Sequence, residues 1–220
     1  MKIDLRLYAL ADPAVSGGRS LAELAKRIAG SATLVQLRDK HGSTRAMMAH
    51  ARALIGVLAP LDIPLLINDR VDVALAAEAD GVHIGQDDMS PADARLLLGK
   101  TAIIGLSVKT LEQAREAPLD LLDYVAVGGV HGTTSKDNTS APIGIDGLRK
   151  IVDAIRAREP AFPICAIAGI TEKNAAETIA AGADGVAVIS ALSLAADPAL
   201  AARTLRNVVD VALEQRKRNS

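Results

Sequence analysis

The chain has 220 residues, of which 50% are hydrophobic and 23% charged, enough for one large domain with a well-buried core. Its 25 basic and 26 acidic residues nearly cancel, and no basic stripe interleaved with aromatics marks a nucleic-acid groove. Charges at Lys2, Asp4 and Arg6 occupy the place where a signal peptide needs an apolar run, and no stretch is long and apolar enough to span a bilayer, so the expectation is a cytoplasmic protein with no membrane partner. The single cysteine, Cys165, lies in the apolar run Pro163 to Ile167, which excludes an intramolecular disulfide and predicts a buried, inert thiol.

In chain order, eight short apolar runs are each followed by a helical pattern: Leu7 to Leu10, Thr33 to Leu37, Leu65 to Ile67, Val82 to Ile84, Ile103 to Leu106, Tyr124 to Val127, Ile164 to Ile167 and Val186 to Ile189. Helical segments include Ser20 to Ala29, Thr44 to Leu58, Pro91 to Leu98 (with Ser90 as N-cap and Pro91 at the first helical position) and Asp146 to Arg158. Eight alternations predict a closed (β/α)₈ TIM barrel rather than a doubly wound sheet, in one domain over residues 1–220 with no interdomain linker. An irregular loop at 128–144 follows the sixth strand, and a polar tail is expected at 215–220.

In such a barrel the residues just after each strand converge on one mouth. The second strand ends in Gln36-Leu37-Arg38-Asp39-Lys40, with Gln36, Arg38 and Lys40 sharing a direction by alternation. The third gives Asn68 and Asp69, the fourth Gln86 and Asp88, the fifth Ser107, and the sixth Thr133, Thr134, Ser135 and Lys136. Ala168, Gly169, Ile170 and Thr171 follow the seventh, and Ile189 and Ser190 close the eighth. Three cations (Arg38, Lys40, Lys136) and two carboxylates (Asp69, Asp88) around one opening fit together if Mg²⁺ and a diphosphate lie between them. Otherwise Asn68 or Asp69 merely caps the third helix and the lysines are solvated. Gly169 and Ser190 sit where barrels hold a monophosphate on backbone amides, although an ordinary strand-to-helix turn looks the same.

The combination of Gln36-x-Arg38-x-Lys40, Asn68-Asp69-Arg70, Gly81-Val82-His83-Ile84-Gly85-Gln86-x-Asp88, Gly105-x-Ser107, Thr133-x-Ser135-Lys136 and Ala166-Ile167-Ala168-Gly169-Ile170 resembles the thiamine phosphate synthase family from about Leu7 to Ser190. The resemblance implies an enzyme that joins 4-amino-5-hydroxymethyl-2-methylpyrimidine diphosphate to 4-methyl-5-(2-phosphoethyl)thiazole and releases diphosphate. By motif match, Gln36, Leu37, Arg38, Asp39, Lys40, Asn68, Ser107 and Lys136 would hold the pyrimidine diphosphate, and Arg38, Lys40, Ser107 and Lys136 would assist catalysis. Asp69 and Asp88 would hold Mg²⁺, and Thr133, Thr134, Ser135, Gly169, Ile189 and Ser190 the thiazole phosphate. The family reaction is a dissociative displacement, in which diphosphate departs before the thiazole nitrogen attacks a pyrimidine methylene cation. Rival readings are a thiazole tautomerase relative, which lacks the diphosphate and metal set, and a noncatalytic phosphate-binding barrel. The partners implied are small phosphorylated molecules; a homo-oligomer is compatible with all of this. Departures from the family pattern include Gly129, His131, Ser135 and Ala168, with His131 expected at solvent and His83 expected to be a hydrogen-bonded structural residue.

Overall fold

A computed structural model describes residues 3–133 and 141–219. Eight parallel strands close into a barrel in sequence order: β1 (Leu7–Ala11), β2 (Leu34–Leu37), β3 (Leu65–Asn68), β4 (Gly81–Ile84), β5 (Ile103–Val108), β6 (Tyr124–Val127), β7 (Ile164–Ile167) and β8 (Gly185–Val188). The (β/α)₈ fold expected from the sequence is the one observed. Around it lie α1 (Leu21–Ile28), α2 (Thr44–Leu58), α3 (Val71–Ala77), α4 (Pro91–Leu98), α5 (Leu111–Glu116), α6 (Gly144–Arg156), α7 (Ala175–Ala180), α8 (Ser190–Ser193) and α9 (Pro198–Asn219). Ser20, Ser43, Ser90 and Thr110 each accept a backbone N–H from the first turn of the following helix, which fixes where α1, α2, α4 and α5 begin.

Alternation along the strands makes two cores. Residues such as Val35, Leu37, Ile67, Val82, Ile104 and Val125 point outward and are buried under the helices. Tyr8, Leu34, Leu66, Tyr124, Cys165 and Ala187 point inward and fill the barrel. Cys165 is buried as expected, and burial pushes its thiol far above the ordinary range.

At the amino edge the register is held by four repeated clasps. Thr33, Asp80, Asp123 and Asp184, each lying just before an even-numbered strand, accept the N–H of Leu7, Leu65, Ile104 and Ile164 at 3.1, 2.8, 2.8 and 3.0 Å. Each clasp residue returns its own N–H to the carbonyl of the same partner. Arginines reinforce two of them, Arg95 on Asp123 at 2.8 Å and both Arg156 and Arg216 on Asp184 at 2.8 and 2.7 Å. Of the expected polar tail at 215–220, residues 215–219 form the last turn of α9, which runs through Arg216 to Asn219. Arg216 also bonds the carbonyls of Ile179 and Ala183, which anchors the last turns against β8.

One close approach sets the barrel interior. A Cβ at Gly105 would lie 2.1 Å from the Tyr124 ring, so the β6 tyrosine occupies the space that any side chain on β5 would need. Gly105→Ala is therefore expected to lower unfolding stability by about 1–3 kcal/mol through overpacking. Urea denaturation of the two proteins side by side checks this; equal midpoints would mean the Tyr124 ring yields without cost.

Candidate active site

Two adjoining cavities open at the carboxyl edge of the barrel. One is polar, and its walls carry Arg38, Lys40, Asn68, Asp69, His83 and Asp88. The other is formed by the ends of β6, β7 and β8, with Gly128, Thr133, Gly169, Ile189 and Ser190 in its wall. Ser107 and Lys109 line both and stand at the seam. Residues from distant parts of the chain meet here because every strand runs in the same direction, so every strand end faces the same side.

In the polar cavity, β2 delivers Arg38 beside Asp12, the residue that follows β1. This ion pair is largely removed from water, with Asp12 only 2% exposed and Arg38 14%. Lys40 Nζ lies 2.5 Å from Asp69 Oδ2, and Asp69 adopts a left-handed backbone with φ 64°. Neither Asn68 nor Asp69 caps α3; the N-cap position belongs to Arg70, without a side-chain cap bond. The capping alternative is thus removed. Burial raises the Asp69 carboxyl above the usual carboxylate range; the Lys40 ammonium opposes this, and the neighbouring Asp88 adds to it. Asp88 accepts the Gly85 N–H at 2.7 Å from its own exposed loop. Two facing carboxylates, one of them reluctant to hold its charge alone, make a donor set suited to a hard divalent cation that takes only one or two carboxylates. Among the described residues, no cluster of three or more His, Cys, Asp or Glu side chains forms a fuller metal site.

Other expected residues are placed differently. Leu37 is wholly buried against the helices, leaving only its main chain near the mouth. The Asp39 carboxylate turns the loop, accepting the N–H groups of His41 and Gly42 at 3.3 and 2.7 Å. Gln36 lies one layer below the cavity, 2% exposed. Thr134, Ser135 and Lys136 fall outside the described residues. The helix after β7 begins only at Ala175, because Asn174 folds back to bond Thr171 N–H at 2.8 Å and Gly169 O at 2.9 Å. Ser190 does not end β8 but opens the single-turn α8. Gly169 has φ 63°, and a Cβ there would lie 2.3 Å from the Gly132 carbonyl oxygen, so the loop after β6 rests directly on it. Its neighbour Ala168 has φ 96°, a region natural to glycine. His131, expected at solvent, is half-buried with Nε2 3.4 Å from Thr178 Oγ1. His83 bonds Tyr124 and Ser107, in keeping with the structural role expected for it.

A family model described as thiamine monophosphate synthase matches residues 7–192. The chain belongs to the thiamine monophosphate synthase family. It is 48% identical to a thiamine-phosphate synthase of Agrobacterium fabrum, covering 98% of this chain and 99% of that one. Identity to the thiamine-phosphate synthase of Chloroflexus aurantiacus is 47%, over 97% and 96%. Among solved structures, a thiamine phosphate pyrophosphorylase from Pyrococcus furiosus superimposes with TM-score 0.83 at 36% identity, covering 96% and 98% of the two chains. A 3-hexulose-6-phosphate synthase, at TM-score 0.64 and 17% identity, shares the fold. The chain is thus a transferase of the thiamine phosphate synthase type that acts on small molecules. Among the described residues, no helix is long and apolar enough to cross a membrane.

Two residues of this thiamine monophosphate synthase mouth escaped the sequence reading, Asp12 and Lys109. Both follow the rule that found the others: Asp12 comes directly after β1, and Lys109 directly after β5. Lys109 lays its stem on Gly128, where a Cβ would sit 3.4 Å from Lys109 Cγ. Asp12→Asn keeps the oxygen that caps the following turn but removes the charge facing Arg38. Breaking a pair this buried is expected to lower stability by about 3 kcal/mol or more. It also frees Arg38, so pyrimidine diphosphate affinity should fall about tenfold. Denaturation and calorimetric titration measure the two effects; full affinity in the variant would show that Asp12 does not orient Arg38.

Asp69→Asn should behave in the opposite sense. A carboxyl raised in the folded state contributes stability when protonated, and loses that contribution as pH climbs through its folded value. Above the ordinary carboxylate range the wild type therefore carries a disfavoured charge that asparagine lacks, and asparagine also tolerates the left-handed backbone. Melting temperatures taken from pH 4 to 8 are expected to show the variant at or above the wild type toward the upper end, with the difference shrinking as pH falls. A variant less stable than wild type at pH 8 would mean that the Lys40 contact outweighs burial.

Proposed function

We propose that the chain joins the aminopyrimidine diphosphate to the thiazole phosphate, the former in the polar cavity and the latter in the cavity at β6 to β8. The observation that carries this reading is the seam: the two cavities share Ser107 and Lys109, so occupants of both would meet side by side. Asp69 and Asp88 would hold Mg²⁺, which when bound supplies positive charge to the diphosphate oxygens. Arg38 and Lys40 line the same cavity and would bind the leaving group, stabilising negative charge as it develops. Lys136 is assigned the same role by motif. For Lys40 this means exchanging its Asp69 partner for phosphate oxygen.

Ser107 and Asn68 would orient the pyrimidine portion from the cavity floor. Gln36 lies close beneath, and Leu37 and Asp39 shape the strand end that carries Arg38 and Lys40. Thr133, Gly169, Ile189 and Ser190, with Thr134 and Ser135 by motif, would hold the thiazole phosphate, partly through main-chain N–H groups. The thiazole nitrogen is already nucleophilic and needs no side-chain base. Apolar walls at Ile167, Ala187 and Ile189 would keep water from a cationic centre. The concentration of Arg38, Asp69 and Asp88 in one cavity speaks against a tautomerase that handles only a thiazole.

The test is formation of thiamine phosphate from both substrates with Mg²⁺. In Asp88→Asn the Mg²⁺ concentration for half-maximal rate should rise about tenfold or more, because one of the two cation-facing carboxylates loses its charge. Asp88 is exposed, so the fold should survive, as circular dichroism can verify. An unchanged Mg²⁺ requirement would remove Asp88 from the metal site, and absence of product in the wild type would reject the assigned reaction.

A further inference from the structure

One line of polar atoms crosses the barrel beneath the mouth, built from five strands. Gln36 Nε2 donates to the Tyr8 hydroxyl, and the Tyr8 and Tyr124 hydroxyls are 2.8 Å apart. The Tyr124 hydroxyl is 2.8 Å from His83 Nδ1, and His83 Nε2 is 2.8 Å from Ser107 Oγ. Ring contacts hold the line rigid: His83 stacks on Tyr124 at 5.6 Å, and Tyr8 meets Tyr124 edge to face at 5.8 Å. Among the described residues of the line, His83 and Ser107 border the polar cavity, and Gln36 lies beneath its floor.

Each hydroxyl has one hydrogen to give, and so does a neutral imidazole. With Gln36 donating to Tyr8, the Tyr8 hydrogen goes to Tyr124 and the Tyr124 hydrogen to His83 Nδ1. The imidazole hydrogen then sits on Nε2 and points at Ser107, whose own hydrogen is released toward the cavity. Turning the Gln36 amide over reverses every bond: Oε1 accepts from Tyr8, His83 carries its hydrogen on Nδ1, and Ser107 is spent as a donor to Nε2. The line has two registers. The face that Gln36 presents and the role of Ser107 cannot be set independently.

At the Gln36 end one atom lacks a partner. Among the described residues Gln36 Oε1 is buried and accepts no hydrogen bond, in a residue only 2% exposed. Buried polar atoms are seldom left so, and the N–H of a ligand seated deeply enough to part the floor above Gln36 would satisfy this one. We propose that Tyr8, Tyr124 and His83 are positioning residues that couple Gln36 to Ser107, so that a ligand donating an N–H to Gln36 makes Ser107 a donor toward the other end of the same ligand. The inference rests on the polar cavity taking the aminopyrimidine diphosphate. A pyrimidine with a carbonyl in place of the ring amino group selects the opposite register and forfeits the Ser107 donation, so the line discriminates between the two. Burial raises both phenols above their ordinary range, so the line changes register rather than ionising.

The experiment is NMR of the full chain with ¹⁵N-labelled histidine, assigned by comparison with His83→Gln, with Mg²⁺ and either the aminopyrimidine diphosphate or its carbonyl analogue at saturation. The amino ligand is expected to place the His83 hydrogen on Nε2, and the carbonyl analogue on Nδ1. In Tyr124→Phe, which keeps the ring and deletes the hydroxyl, both ligands should leave the same tautomer. Calorimetry should show the preference for the amino ligand shrinking about tenfold in that variant, within the range for directly coupled neighbours. Tyr8→Phe cuts the line one step earlier and should reduce the preference in the same way, which covers a Tyr124 variant that does not fold. The same tautomer with both ligands in the wild type, a doubly protonated imidazole in both, or undiminished discrimination in the folded variants would overturn the proposal. Failure of both ligands to bind the wild type would overturn the assignment of the cavity as well, and so is told apart.

Discussion

Closing eight strands around an axis leaves an interior from which water is excluded, and any polar atom placed there must find a partner or cost about 1–3 kcal/mol. The Tyr124 hydroxyl meets this constraint at the barrel axis for three side chains at once, because it bonds both Tyr8 and His83. Its position depends on Gly105, which leaves room for the ring. Ser107 is fixed by His83, and its carbonyl accepts from Gln86 at 2.7 Å. The floor on which ligands are proposed to lie is thus referenced to one phenol, and packing two layers down determines the aim of groups at the surface.

The two edges of the barrel use their carboxylates differently. At the amino edge each clasp aspartate accepts a strand N–H, and arginines lie against two of the three aspartates. Non-glycine residues hold positive φ at both edges, Asp62 and Glu78 ahead of β3 and β4, and Asp69 and Ala168 after β3 and β7; at the carboxyl edge Asp69 also keeps a carboxyl that burial disfavours. Conformations of this kind cost about 1–3 kcal/mol each and persist only where surrounding structure imposes them.

Most of the fold was legible because strand and helix periods differ and because serine and threonine caps mark helix starts. Asp69 and Asp88 could be paired from sequence, since one short crossover sets both on the same edge. Side-chain direction at a strand end was harder: alternation assigned Gln36, Arg38 and Lys40 to one side but not their depth, and Gln36 lies below the cavity. Asp12 and Lys109 obey the strand-end rule but carry no motif of their own: Asp12 stands alone after the first strand, and Lys109 lies two places past Ser107. The line from Gln36 to Ser107 had no local signal. Its members come from five strands and meet only when the sheet closes.

The amino-edge clasps bear on how such a barrel assembles. Each joins residues separated by only 26, 15, 19 or 20 positions, within a single strand-helix-strand unit. The entropy of closing loops this short grows slowly with length, and the contacts are local ones of the kind associated with fast folding. Every quarter of the barrel therefore contains its own means of setting strand register before the other quarters are in place. The chain can build its circle from four pre-registered segments, and only the final seam between β1 and β8 has to wait for the two ends of the sheet to meet.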